Sequence, residues 1–232
     1  MQGLYLVTPN WDDTARLLAA SEEAPDAGVG RGIGGDDGIG NLVALLQYRH
    51  KEASSALRLE QAGALLALCQ RYGVPFIVND HVDLCLQTGA DGVHLGGTDA
   101  DVAQVRGRLG ADKLIGASCY GDLPRALAAQ RAGASYVAFG GFYPSRVKQY
   151  AVTTRPEILD QARETITIPT VVIGGMTPEN AAPLVARGAG MVAAISSVYQ
   201  AESVRGAVGD FASMFVVHNT RKSFQRKSLS AL

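Results

Sequence analysis

With 232 residues, 47% of them hydrophobic, the chain can bury one barrel-sized core, and two small domains are the other arrangement its length allows. The formal net charge of −1, with both signs mixed along the chain, excludes a broad basic field for nucleic acid or anionic lipid, so an anionic ligand must be held by local groups. Cys69, Cys85 and Cys119 are odd in number, widely spaced and free of any CxxC pattern, which argues against a disulfide framework or a zinc site; with no leader-like start and no membrane-length apolar run, the expectation is a soluble protein of the reducing cytoplasm.

In chain order, short apolar runs rich in β-branched residues recur, each followed by a longer Ala/Leu segment with helical spacing, the pattern of repeated βα units. Eight strands are predicted: Leu4–Thr8, Leu42–Tyr48, Phe76–Asn79, Gly92–Leu95, Leu114–Ala117, Tyr136–Phe139, Thr170–Ile173 and Met191–Ala194. A helix is predicted over Ala53–Tyr72, where Ala56, Leu59, Ala62, Leu66 and Cys69 fall on roughly one face. Gly89–Ala90–Asp91, Gly133–Ala134–Ser135 and Gly188–Ala189–Gly190 each precede a strand, and glycine there ends a helix and permits a left-handed turn. The whole predicts an α/β fold, a single-domain (β/α)8 TIM barrel over residues 1–217.

Two segments break the repeat. Ser21–Asn41 is so rich in Gly and Asp that it predicts a mobile loop or disordered insertion, and the basic, Ser-containing stretch from His218 to Leu232 predicts a frayed tail. Gly30, Gly32 and Gly35 match a dinucleotide-binding spacing, but no strand leads directly into them and Asp36–Asp37–Gly38 is a poor helix start. The flexible-loop reading is preferred.

In a parallel barrel the active site lies at the C-terminal ends of the strands, so the polar residues that follow each apolar run carry the functional information. Alternation along the end of the second strand sends Gln47, Arg49 and Lys51 to one side. Two cations converging on a barrel mouth call for a phosphate or pyrophosphate between them; a solvated charge cluster opening the next helix is the competing reading. Asn79 and Asp80 follow the third strand and Asp99 follows the fourth. Two carboxylates at one rim suit Mg²⁺, which keeps several waters and shares phosphate oxygens, while N-capping of the next helices is the alternative for each. Asp83 belongs in the first turn of the third helix. Gly174–Gly175 after the seventh strand and Ser196–Ser197 after the eighth predict a backbone phosphate cradle, with a tight turn as the plainer role for any single glycine. His94 either touches substrate or is a hydrogen-bonded structural histidine.

Read in order, LYLVTP, LLQYRHK, VPFIVNDHVDLCLQTGADGVHLGGTD, IGASCY, YVAFGGFYPSRVK and IPTVVIGGMTPENAAPLVARGAGMVAAISSV make the chain resemble the thiamine-phosphate synthase family from about Gly3 to about Phe215. The resemblance implies a Mg²⁺-dependent transferase of thiamine biosynthesis that joins a pyrimidine diphosphate to a thiazole phosphate and releases pyrophosphate. It implies that Gln47 contacts the aminopyrimidine, that Arg49, Lys51, Asn79 and Lys148 grip its diphosphate, and that Ser118 adds a hydrogen bond. It further implies Asp80 and Asp99 as Mg²⁺ ligands, and Ser145, Gly175, Ile195 and Ser196 as the lining of the thiazole-phosphate pocket. Arg49, Lys51, Ser118 and Lys148 are then the residues expected to assist the chemistry. The partners implied are the two small substrates, without nucleic acid or membrane, and a homo-oligomer is compatible with the sequence.

Three departures from the family pattern stand out. Pro144–Ser145–Arg146–Val147–Lys148 replaces a usual Pro-Thr-x-Thr-Lys, losing a hydroxyl and gaining a cation; Ser118–Cys119–Tyr120 replaces Ser-Thr-His; and the Gly-rich insertion precedes the second strand. Two rival readings are a thiazole tautomerase on the same barrel, which would lack the diphosphate grip and use a histidine near Tyr120, and a non-catalytic phosphate-binding paralogue.

Overall fold

The computed structural model describes residues 1–29, 42–96, 101–144 and 154–215. Eight parallel strands close into a barrel in sequence order: β1 (Gly3–Val7), β2 (Val43–Tyr48), β3 (Phe76–Asn79), β4 (Gly92–Leu95), β5 (Leu114–Ser118), β6 (Tyr136–Gly140), β7 (Thr170–Ile173) and β8 (Met191–Ala194), with β8 pairing back to β1. The helices between them are α1 (Thr14–Val29), α2 (Ser55–Tyr72), α3 (Val82–Thr88), α4 (Val102–Leu109), α5 (Leu123–Arg131), α6 (Ile158–Thr165) and α7 (Pro178–Ala186). A single turn, α8 (Ser196–Tyr199), follows β8, and a further helix, α9, spans residues 204–215. Among the described residues, no helix is long and apolar enough to cross a membrane.

The strands alternate between two cores, as a period of two requires. Leu4 and Leu6 of β1, Val137 and Phe139 of β6, and Val192 of β8 pack outward under the helices. Tyr5, Val7, Leu45, Ile77, Tyr136, Ala138, Val171, Met191 and Ala193 fill the barrel interior. Each large side chain removed from water in this way contributes roughly 1.5–3 kcal/mol. The interior is not purely apolar, because Tyr5 and Tyr136 bring their hydroxyls to within 2.6 Å of each other.

The recurring Gly-Ala phrase acts as the sequence suggests. Gly89, Gly133 and Gly188 hold φ of 78°, 95° and 115°, and the alanine after each is buried. In two of the three the third residue is polar and has a further job: Asp91 accepts a hydrogen bond from the Phe76 amide (2.8 Å) and Ser135 from that of Ile115 (3.0 Å), so each pins the start of a neighbouring strand. α2 begins at Ser55, not Ala53, because Ser54 is its N-cap and accepts from the Leu57 amide.

One boundary needs correction. The loop expected from Ser21 does not start there, since α1 continues through Ser21 and Pro25 to Val29. Ser21 and Ala24 are fully buried, and the Ser21 hydroxyl lies 2.9 Å from that of Tyr199. Burial on this face outweighs the Gly- and Asp-rich composition that predicts a loop. The remainder of the insertion, residues 30–41, and the tail from His218 lie outside the described residues.

Candidate active site

The C-terminal ends of the strands enclose a cavity of about 270 Å³. Gln47, Arg49, Lys51, Asn79, Asp80, Ser118, Gly175, Ile195 and Ser196 all border it, so rim residues read from five separate stretches of sequence meet at one place. Ser145, Lys148 and Asp99 lie outside the described residues.

The β2 edge is built by strand continuation. Leu45 points into the barrel, so Gln47 does too, and Arg49 and Lys51 extend the same side beyond the strand end. Thr8, fully buried after β1, fixes the exit of this segment: its amide donates to the Gln47 carbonyl (2.9 Å) and its Oγ1 accepts from the Arg49 amide (2.9 Å). Arg49 is largely buried, whereas half of the Lys51 side chain is exposed. His50, in the opposite phase, leaves the cavity and sits 2.9 Å from the Asp12 carboxylate.

Asp80 adopts φ 61°, an uncommon conformation for a residue with a side chain, and its carboxylate is held beside the cavity. Oδ1 accepts from the Gly96 amide (3.1 Å), Oδ2 from Asn79 Nδ2 (2.5 Å), and Lys51 Nζ lies 3.7 Å away. The N-cap alternative for Asp80 falls, because His81 occupies that position on α3 and Asp83 lies in the first turn. Likewise Asp101, not Asp99, caps α4 and accepts from the Ala103 amide. A partly exposed carboxylate facing a cavity that Arg49 and Lys51 also border is the donor type that Mg²⁺ takes when it retains waters and shares ligand oxygens. Asp80 fits that requirement.

In an eight-stranded barrel β7 stands opposite β3. There Gly174 and Gly175 turn with φ 108° and 61°, and a Cβ on Gly175 would come within 2.3 Å of the Pro144 carbonyl oxygen. The turn is tied down by α7: Thr177 and Asn180 form a reciprocal capping box, and Asn180 Nδ2 also donates to the Gly175 carbonyl (2.8 Å). Ile195, the N-cap residue of α8, and Ser196 complete this wall.

Sequence reasoning gave no site role to Tyr5, Tyr136 or Tyr120, and left His94 between two roles. Tyr5, His94 and Tyr120 border the cavity, and Tyr136 lies directly beneath. His94 places Nε2 2.9 Å from Ser118 Oγ and Nδ1 3.2 Å from the Tyr136 hydroxyl. Tyr120 stands at the mouth with φ 52°. Burial raises the Tyr5 and Tyr136 phenols well above their ordinary range, so both are neutral donors at physiological pH. The usable signal was phase: Tyr5 alternates with Val7, and Tyr136 with Ala138 and Gly140, all facing inward or toward the cavity.

The chain is similar to known proteins over nearly its whole length. The thiamine monophosphate synthase family profile matches residues 4–198. A thiamine-phosphate synthase of Janthinobacterium sp. (strain Marseille) is 57% identical over 215 residues, covering 93% of this chain and 97% of that protein. One from Xylella fastidiosa (strain Temecula1) is 44% identical over 214 residues, covering 92% and 85%. Among solved structures, a thiamine phosphate pyrophosphorylase from Pyrococcus furiosus superposes with a TM-score of 0.75 at 30% identity, covering 92% of this chain and 95% of that one. Fold, cavity and sequence agree, and the chain belongs to the thiamine monophosphate synthase family.

Proposed function

We propose that the protein is a transferase that joins an aminopyrimidine diphosphate to a thiazole phosphate, giving thiamine phosphate and pyrophosphate. The observation that carries this reading is the pairing, across one cavity, of the Arg49, Lys51, Asn79 and Asp80 wall with the Gly174–Gly175 turn and Ser196 opposite. One wall suits a diphosphate through its cations and amide; the other suits a single phosphate through backbone donors. The two anion sites bracket the space in which a ring nitrogen can meet a methylene carbon.

The chemistry follows from charge. As the methylene carbon–oxygen bond breaks, its electron pair leaves with pyrophosphate and positive charge grows on the pyrimidine methylene. Arg49, Lys51 and, from outside the described residues, Lys148 interact more strongly with the departing group as its charge increases, which lowers the barrier rather than merely tightening binding. Asp80, with Asp99, would hold Mg²⁺, which would supply positive charge to offset that of the departing diphosphate. Gln47 orients the aminopyrimidine, whose amino group feeds electron density to the cation. The thiazole nitrogen, placed by its phosphate anchor with Ser145, Gly175, Ile195 and Ser196 as the pocket lining, then captures the methylene carbon. No protein nucleophile takes part, and positioning supplies much of the rate.

The test mixes purified protein with both substrates, with and without Mg²⁺, and follows thiamine phosphate and pyrophosphate together. Equal, Mg²⁺-dependent appearance of both products is expected, with Lys51→Ala or Asp80→Ala lowering the rate at least about a hundredfold, the scale of losing one preorganised charge. Unchanged turnover in either variant removes the assigned role. Binding of the thiazole phosphate without product formation transfers the reading to a tautomerase or a binding barrel.

A further inference from the structure

A continuous line of hydrogen bonds crosses the barrel just under the cavity. Gln47 Nε2 donates to the Tyr5 hydroxyl (2.6 Å), which lies 2.6 Å from that of Tyr136. The Tyr136 hydroxyl lies 3.2 Å from His94 Nδ1, and His94 Nε2 lies 2.9 Å from Ser118 Oγ. The five residues come from β2, β1, β6, β4 and β5, and Tyr5 and Tyr136 are at most 1% exposed. The fold reserves room for the centre of this line: a Cβ on Gly116 would approach within 2.1 Å of the Tyr136 ring.

Proton counting gives the line a direction. A phenol has one proton to donate. Tyr5 already accepts from Gln47, so its own proton goes to Tyr136. Tyr136, having accepted, donates to His94 Nδ1, which leaves the imidazole proton on Nε2 to be donated to Ser118 Oγ. Ser118 then keeps its own hydroxyl proton for a ligand in the cavity it borders. The reverse direction with Gln47 still donating would strand a Tyr5 proton in the barrel interior, and an unmade buried bond costs more than a made one returns. Reversal therefore requires the Gln47 amide to turn over.

We propose that Gln47, Tyr5, Tyr136, His94 and Ser118 form one proton-ordered chain, in which the ligand edge read by Gln47 fixes Ser118 as a hydrogen-bond donor to the departing diphosphate. This deepens the transferase reading and rests on it. A ring nitrogen beside an amino group presents an acceptor and a donor side by side, which a glutamine amide matches with one N–H and its oxygen, leaving its second N–H for Tyr5. The correct pyrimidine thereby holds the amide in the orientation that points the Ser118 proton at the oxygen on which negative charge develops. No proton moves along the chain. Tyr5, Tyr136 and His94 are positioning residues that act through Ser118.

The experiment is a double-mutant cycle on the full chain, with Tyr136→Phe, Ser118→Ala and both together. Tyr136→Phe is expected to lower kcat about tenfold, the scale of one misdirected hydrogen bond, with KM for both substrates within about twofold. The double variant is expected to turn over no more slowly than Ser118→Ala, and Tyr5→Phe, one link earlier, to repeat the Tyr136→Phe effect. Losses that simply multiply in the double variant would overturn the coupling. Nitrogen-15 NMR of the histidine rings, with His94→Asn for assignment, reads the tautomer without turnover. A proton on Nε2 of His94 in the complex with the pyrimidine diphosphate supports the direction, and a proton on Nδ1 alone reverses it. Wild-type protein that forms no thiamine phosphate counts against the transferase reading, while the tautomer still decides the chain.

Discussion

Gly175 shows how much a single backbone position carries. It holds φ 61° against the Pro144 carbonyl, and its own carbonyl is fixed by Asn180. Gly175→Ala combines a strained conformation with a forced shift of the backbone opposite, so a loss of about 1–3 kcal/mol in unfolding free energy is expected. A rise of roughly tenfold in KM for the thiazole phosphate, with the diphosphate KM little changed, should accompany it, as one phosphate contact is misplaced. Titrations varying each substrate in turn check this, and an unchanged thiazole KM would take the turn out of the phosphate cradle. At this scale the sequence is a good guide wherever chemistry follows a strand end: Gln47, Arg49 and Lys51 reach the cavity because alternation leaves them no other side. Tyr5 and Tyr136 escaped notice for an equally physical reason. An aromatic residue inside a strand reads as core, and a hydroxyl partner 131 residues away in the chain has no local signature.

Among the elements, the bottom of the barrel depends on Arg106 of α4. Its guanidinium donates to the carbonyls of Gly110 (2.7 Å), Lys113 (2.7 Å) and Gly133 (2.8 Å) and to Ser135 Oγ (3.1 Å), joining the ends of α4 and α5 to the starts of β5 and β6. Arg106→Ala leaves these acceptors to water or unpaired, and a loss of about 2–3 kcal/mol is expected, well beyond the roughly 0.5 kcal/mol of an ordinary surface substitution. Urea unfolding midpoints measure it, and a change within that smaller range would reduce Arg106 to a solvated surface residue. α1 shows where element boundaries are hard to read. Composition around Ser21 and Pro25 signals a loop, yet Ser21 meets Tyr199, 178 residues away, and that tertiary contact keeps the helix going. α2 is the opposite case: its start is set locally by Ser54, an N-cap signal that the sequence itself carries.

For the molecule as a whole, the barrel was legible because its strands are short, apolar and separated by glycine-marked turns; β3, β4, β7 and β8 coincide with the predicted limits, and the other four differ by one residue at one or both ends. What the repeat could not disclose is how many ionisable groups the two cores enclose. Burial pushes the Tyr48 phenol and the Cys69 and Cys119 thiols up to about 12, and raises Tyr5, Tyr136 and Tyr199 beyond the ordinary phenol range. These groups keep protons in the folded state that the unfolded chain releases near 9 for thiols and 10 for phenols. Their folded-state values are raised, so the stability they confer is intact below pH ~9 and is lost as the pH climbs toward the folded values, at up to ~1.4 kcal/mol per pH unit for each group ionised only when unfolded. Urea unfolding at intervals from pH 8 to 11 should show a plateau and then a steepening fall, and the fall should be shallower in Tyr136→Phe, which has one phenol fewer to ionise. A midpoint that stays level to pH 11 would mean that these phenols and thiols ionise as readily in the folded protein as out of it, and the barrel interior would then have to be wet.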